Sequence, residues 1–149
     1  DRDPYKLELA RRFGATDTID ASAGDPVAQV MELTKGGVHY AFEAIGLKTT
    51  VEQSFQMLRP GGTATVIGMV PFGVKVELHG FDFLRERRIQ GSMMGSNRVR
   101  IDMPRLIEFY LQGKLHLDQM ISGRLKLEQI NEGFEAMKTG GVARNVIMF

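Results

Sequence analysis

Two stretches combine residue types and spacing that could do chemistry. The apolar run Val38–Phe42 leads into Glu43-Ala44-Ile45-Gly46, and Thr63–Ile67 leads into Gly68-Met69-Val70-Pro71. Between them Lys48–Leu58 has the pattern of a helix, so the two runs are expected to be parallel strands joined by a crossover helix. In an open α/β sheet ligands bind beyond the carboxyl ends of the strands, which puts both glycine-bearing turns at a ligand. Small residues there let the backbone approach it closely. Glu43 has the chemistry of a general base. A glutamate beside a strand end is more simply a hydrogen-bond acceptor for nearby backbone, and it is assigned that structural part. His39, His79 and His116 share no metal-ligand spacing, and no Ser-His-acid pattern or paired carboxylates stand out. The chain has no cysteine, which removes disulfides and thiolate chemistry from these residues.

Composition narrows the partners. Lys and Arg number 19 against 18 Asp and Glu, a net charge of +1, which gives no field for gathering nucleic acid or coating an anionic membrane. No apolar run approaches the roughly 20 residues needed to span a bilayer. The opening Asp-Arg-Asp-Pro is not a charged-then-apolar leader. At 149 residues the chain has the size of one domain. The expectation is a soluble, cytoplasmic α/β protein.

The elements that would position those turns follow in order. Asp3-Pro4 starts a helix through Phe13 that Gly14 ends. Thr16–Ile19 is expected as a short strand, and Asp25-Pro26 caps a helix from Val27 to about Thr34. Gly36-Gly37 turns the chain into the Val38 strand. Up to Ile67 the order is helix, strand, helix, strand, helix, strand, whereas a doubly wound domain should begin with a strand. Val74–Leu78 alternates apolar and polar side chains, as an edge strand does. Phe81–Leu84 could be a helical turn, Arg85–Arg88 a solvated connection, and Ile89–Met94 a further strand. Met103–Leu111 reads as a helix, Gln119–Leu125 as a strand, Leu127–Met137 as a helix and Ala143–Phe149 as a terminal strand.

With the chain read this far, it resembles the zinc-dependent, medium-chain alcohol dehydrogenase family. The resemblance rests on Phe13-Gly14-Ala15-Thr16 after the first helix, Gly36-Gly37-Val38 leading to Phe42-Glu43-Ala44-Ile45-Gly46, Leu58-Arg59-Pro60-Gly61-Gly62, Ile67-Gly68, and the tail from Ile130-Asn131-Glu132-Gly133-Phe134 through Arg144. It implies an incomplete doubly wound parallel (Rossmann) sheet lacking its first two strands, followed by a C-terminal α/β segment of a GroES-like catalytic domain. Residues 1–93 would belong to the cofactor domain and 94–149 to the segment returning to the catalytic domain. The terminal strand would then pair with strands outside these residues. The glycine-rich pyrophosphate turn and the zinc ligands would lie upstream of Asp1, and the 149-residue chain alone would be inactive.

The same resemblance distributes roles. Asp1 is similar to the acid that grips the adenosine ribose; a carboxylate there would repel the 2′-phosphate of NADP, so NAD is expected. Arg2 beside it could hold a phosphate, which keeps NADP open, and Asp1 could instead be a capping or terminal aspartate. Lys6 resembles a lysine near the same ribose, or is merely solvated. Ala44, Ile45 and Gly46 would lie close to the cofactor. Ile67, Gly68 and Met69 would pass beneath the nicotinamide ring, and Ser92, Met93 and Met94 would close the site, unless the two methionines fill a core. Arg144 resembles an arginine that reaches the pyrophosphate. In the parent enzyme the zinc would polarise an alcohol oxygen while the cofactor takes the hydride. The segment Val74–Leu78 would form the seam of a homodimer or homotetramer. Competing readings are a zinc-free, NADPH-dependent quinone or enoyl reductase, an adenosylmethionine-dependent methyltransferase suggested by Leu58-Arg59-Pro60-Gly61-Gly62, and a non-enzymatic assembly domain.

Overall fold

A computed structural model describes residues 1–139 and 142–149. The chain divides into two compact units, Ala23–Asn97 and Asp1–Ser22 together with Arg98–Phe149.

The unit Ala23–Asn97 is an α/β arrangement with helices α2 (Pro26–Leu33) and α3 (Lys48–Gln56) and strands β1 (Val38–Glu43), β2 (Leu58–Val66) and β3 (Arg88–Gly91). The strands form one parallel sheet in the order β1-β2-β3. Asp25 starts α2 as the sequence predicts, its carboxylate accepting the Val27 N–H at 2.9 Å. α3 places Val51, Ser54 and Phe55 on one face at i, i+3 and i+4, and that face is buried. The buried apolar side chains among the described residues are Val51, Phe55, Leu58 and Ala64. Val38, Ala41, Leu78 and Ile89 pack around this core, and the Phe83 ring meets Phe55 with centroids 5.1 Å apart. Removing a side chain such as Phe55 or Leu58 from water contributes about 1.5–3 kcal/mol each.

β2 begins five residues before the expected Thr63, because Leu58 already pairs with Val38. A register shift between Val38 and Tyr40 absorbs Arg59-Pro60-Gly61-Gly62, which by composition alone reads as a turn. The edge strand expected at residues 74–78 does not form. The Glu77 N–H donates instead to the Glu52 carboxylate at 2.8 Å, and Lys48 bridges both acids at 2.9 and 3.1 Å. β3 stops at Gly91, short of the expected Met94, since Met94 and Gly95 turn into left-handed backbone at φ 47° and 70°.

The second unit holds α1 (Pro4–Arg12), α4 (Val99–Leu111), β4 (Gly123–Lys126), α5 (Ile130–Thr139) and β5 (Asn145–Met148). Asp3 caps α1 through the Tyr5 N–H. No strand forms at residues 16–19. Asp1 instead donates its amino group to Ile19 O and accepts the Ala21 N–H, both at 3.0 Å. That alternation of bonds around Asp20 is one step of a parallel ladder. α4 begins four residues before the expected Met103 and contains Pro104, a residue that by itself reads as a helix start. Residues 118–120 form a 3₁₀ turn ahead of β4, where the sequence suggested strand. β5 pairs in parallel with β4, Gly123 opposite Asn145, so one edge of the terminal strand is satisfied within the chain. Among the described residues no helix is long and apolar enough to cross a membrane.

Candidate functional site

Glu43, the last residue of β1, organises the region where the strands end. Its side chain is only 3 % exposed. Oε1 accepts the Ile45 N–H at 2.9 Å, the Gly46 N–H at 2.8 Å and the Thr50 hydroxyl at 2.7 Å. Its main-chain carbonyl accepts from Ile67 N at 2.7 Å and Gly68 N at 3.0 Å, beyond the end of β2. One residue therefore ties its own turn through the side chain and the neighbouring strand's turn through the backbone. Burial works to raise the Glu43 pKa, but the hydrogen bonds from Thr50 and the Gly46, Ile45 and Leu47 amides outweigh it and hold the carboxyl below the ordinary glutamate value. Oε2 is buried without a hydrogen-bond partner.

The two glycines are fixed by close approach. Gly46 has φ +90°, and a Cβ there would lie 2.5 Å from Met69 O. A Cβ on Gly68 would run into the Gly46 amide nitrogen and come within 2.6 Å of Glu43 Oε2. Only glycine lets the two turns lie back to back. Beside them Ser92 follows β3, its N–H donating to Val66 O at 2.9 Å and its hydroxyl lying 3.1 Å from Ser96 Oγ.

Ala44, Ile45, Gly46, Ile67, Gly68, Met69, Ser92, Met93 and Met94 thus all lie at or beyond the carboxyl ends of the three parallel strands. Met93 and Met94 are 89 % and 84 % exposed, so they do not fill a core. Asp1, Lys6 and Arg144 belong to the other unit, and all three are exposed. The Asp1 carboxylate accepts the Arg2 and Asp3 amides at 2.7 and 3.0 Å, while Asp3 performs the helix capping. Lys6 lies in the first half of α1. Arg144 precedes β5, with its carbonyl accepting the Ser122 N–H.

Two features escaped the sequence, one at the strand ends and one away from them. Thr50 follows Glu43 by seven residues, and its place in the first turn of a helix that starts just after the strand end was the available signal. Arg87 is buried, not solvated, and pairs with Asp82 at 3.1 Å. The alternation of a charge run gives no hint of which member turns inward.

The chemistry of the strand ends suits a nucleotide: the close approach of the Gly46 and Gly68 turns sets main-chain donors and acceptors where a ligand of the α/β fold binds, beside the exposed Ile45 and Met69 side chains. Zinc does not fit these residues. The chain lacks cysteine, and among the described residues no three His, Asp or Glu side chains gather as a metal site.

Residues 1–112 match the family described as zinc-binding dehydrogenase. The chain belongs to that family. As a member it is similar to geraniol dehydrogenase of Carpoglyphus lactis, 34% identical over 97% of this chain and 38% of the relative. Its fold superposes on benzyl alcohol dehydrogenase from Acinetobacter calcoaceticus with a TM-score of 0.93 and 30% identity, covering 99% of this chain and 41% of that one. A third similar structure, from Sinorhizobium meliloti 1021 and described as a zinc-binding dehydrogenase bound to NADP, gives a TM-score of 0.87 and 33% identity over 100% of this chain and 44% of that one. This family member therefore spans about two-fifths of the length of the relatives it matches, and its parallel α/β architecture is that of alcohol dehydrogenases.

Proposed function

We propose that this chain is the cofactor-holding portion of an alcohol dehydrogenase that moves a hydride between a small alcohol and its aldehyde or ketone. The observation that carries this reading is the pair of turns locked back to back at the ends of β1 and β2, where a ligand of the α/β fold binds. NAD or NADP, when bound, supplies the hydride acceptor. Ala44, Ile45 and Gly46 would line one wall and Ile67, Gly68 and Met69 the floor beneath the nicotinamide. Ser92 and the exposed Met93 and Met94 would exclude water from the far side. Asp1 and Lys6 would hold the adenosine ribose, and Arg144 the pyrophosphate.

NAD is the preferred cofactor, because a carboxylate at Asp1 disfavours a 2′-phosphate. Arg2 beside it, and the NADP carried by the Sinorhizobium relative, support the second reading, an NADPH-dependent reductase of the same superfamily. The methyltransferase alternative lost its support with the family match over residues 1–112. We assign residues 1–93 to the cofactor domain and 94–149 to the segment completing a catalytic domain; one boundary between the compact units falls nearby, after Asn97, although Asp1–Ser22 groups with Arg98–Phe149. Any zinc of the intact enzyme would be held by residues other than these, so turnover by the 149-residue chain alone would overturn this assignment. Residues 74–78, exposed along much of their length and outside any ladder, would pair antiparallel with a second copy. A monomer of the intact protein in solution scattering would count against that seam.

Titration of the intact protein with NADH and NADPH tests the central reading. Saturable binding of NADH, tighter than NADPH, is expected. Tighter NADPH would move the assignment to the reductase, and binding of neither would overturn both.

A further inference from the structure

We infer that Glu43 is a positioning residue that aims the backbone of both strand-end turns at the nicotinamide-bearing half of the dinucleotide. This rests on the cofactor reading above and adds to it the residue that sets the geometry.

Peptide units are planar, and the described chain has no cis bond, so a carbonyl points opposite to the N–H of the same unit. With the Ile45 and Gly46 N–H groups turned onto Glu43 Oε1, the carbonyls of Ala44 and Ile45 face away from it. With the Gly68 N–H turned onto Glu43 O, the carbonyl of Ile67 faces away as well. Three acceptors are thereby turned away from one buried residue, a set suited to a ligand bearing hydroxyl and carboxamide N–H donors.

A carboxylate does this where an amide would not. The two main-chain amides and the Thr50 hydroxyl all converge on one oxygen, which a full negative charge favours. The other oxygen lies buried toward Gly68 without a hydrogen-bond partner. Gly46 and Gly68 make the arrangement stiff, since neither turn can shift without meeting the other. Thr50 adds the third donor from α3, coupling the turns to the helix that carries the buried core.

The test uses E43Q and T50V in the intact protein, with affinities for NADH and for ADP, which carries only the adenosine half, and with the thermal midpoint recorded for each. E43Q is expected to weaken NADH about tenfold, the size of one lost charge-assisted hydrogen bond, and to leave ADP within about twofold. T50V should show the same selectivity with a smaller loss. A role confined to stability would lower both affinities together with the midpoint, and that outcome, or unchanged NADH binding, overturns the inference while the cofactor reading stands. If E43Q does not fold, T50V decides by the same two ligands. Wild-type protein that binds neither ligand overturns the cofactor reading and the inference with it.

Discussion

Helix α3 has nine residues and buries Val51, Ser54 and Phe55, whereas α4 has thirteen, carries Ile101, Met103, Leu106, Ile107 and Tyr110, and buries none of its side chains. Both have apolar residues at helical spacing. The difference lies in what their neighbours offer: α3 crosses between two paired strands and lies over their joint surface, while α4 packs closely on no strand among the described residues. Amphipathic spacing therefore makes a helix and marks a face, but a sheet of the right register must be present before the face becomes a core. The candidate site follows the same division, since its interlocked turns grow from the unit with the closed core.

The largest test of that contrast is Gly68→Ala. The added methyl would drive the two turns apart, and NADH binding by the intact protein should fall below detection. Gly113→Ala, after α4, meets open space and only an unfavourable φ of 70°, so it should cost about 1 kcal/mol and leave binding intact. Next in size, Phe55→Ala should lower unfolding free energy by about 3–5 kcal/mol in denaturant titrations. Ile107→Ala on the exposed α4 face should change it by less than about 0.5 kcal/mol. Equal losses from the two would erase the distinction between the units.

A smaller effect concerns acid. Glu43 is held below the ordinary glutamate value of 4.5, so its stabilising contribution is complete above that pH and is lost as pH falls through the lower, folded-state value. Wild-type stability should therefore drop relative to E43Q on acidification below 4.5, and parallel curves would show the carboxylate to be unimportant there. Smallest of all, Lys48→Ala removes ion pairs to Glu52 and Glu77 at the surface and should leave the melting midpoint within experimental error at physiological salt.

Much of the site was legible in the sequence because it is local. The alternation from Val38 to Ile67 placed two strand ends and a helix, and Gly46 and Gly68 stood where a Cβ has no room. What failed was everything that needs a partner. Residues 16–19 and 74–78 have strand-like side chains, but a strand exists only in a sustained ladder; here the Ile19 carbonyl accepts from the Asp1 nitrogen alone and the Glu77 N–H goes to the Glu52 carboxylate. The start of α4 was hidden because Pro104 resembles a first-turn residue and sits in the helix interior. Arg87 gave no signal because burial of one arginine in a run of charges depends on where Asp82 falls in space, not on spacing.

β1 ends the sheet on one side, and its Tyr40 and Phe42 are 71 % and 70 % exposed. Among the described residues no further strand covers that edge, so its backbone donors and acceptors beside two aromatic rings form a template for an extended segment. Whichever segment docks there first, from the same polypeptide or from a crowded neighbour, decides whether synthesis yields dispersed particles or the seed of an aggregate.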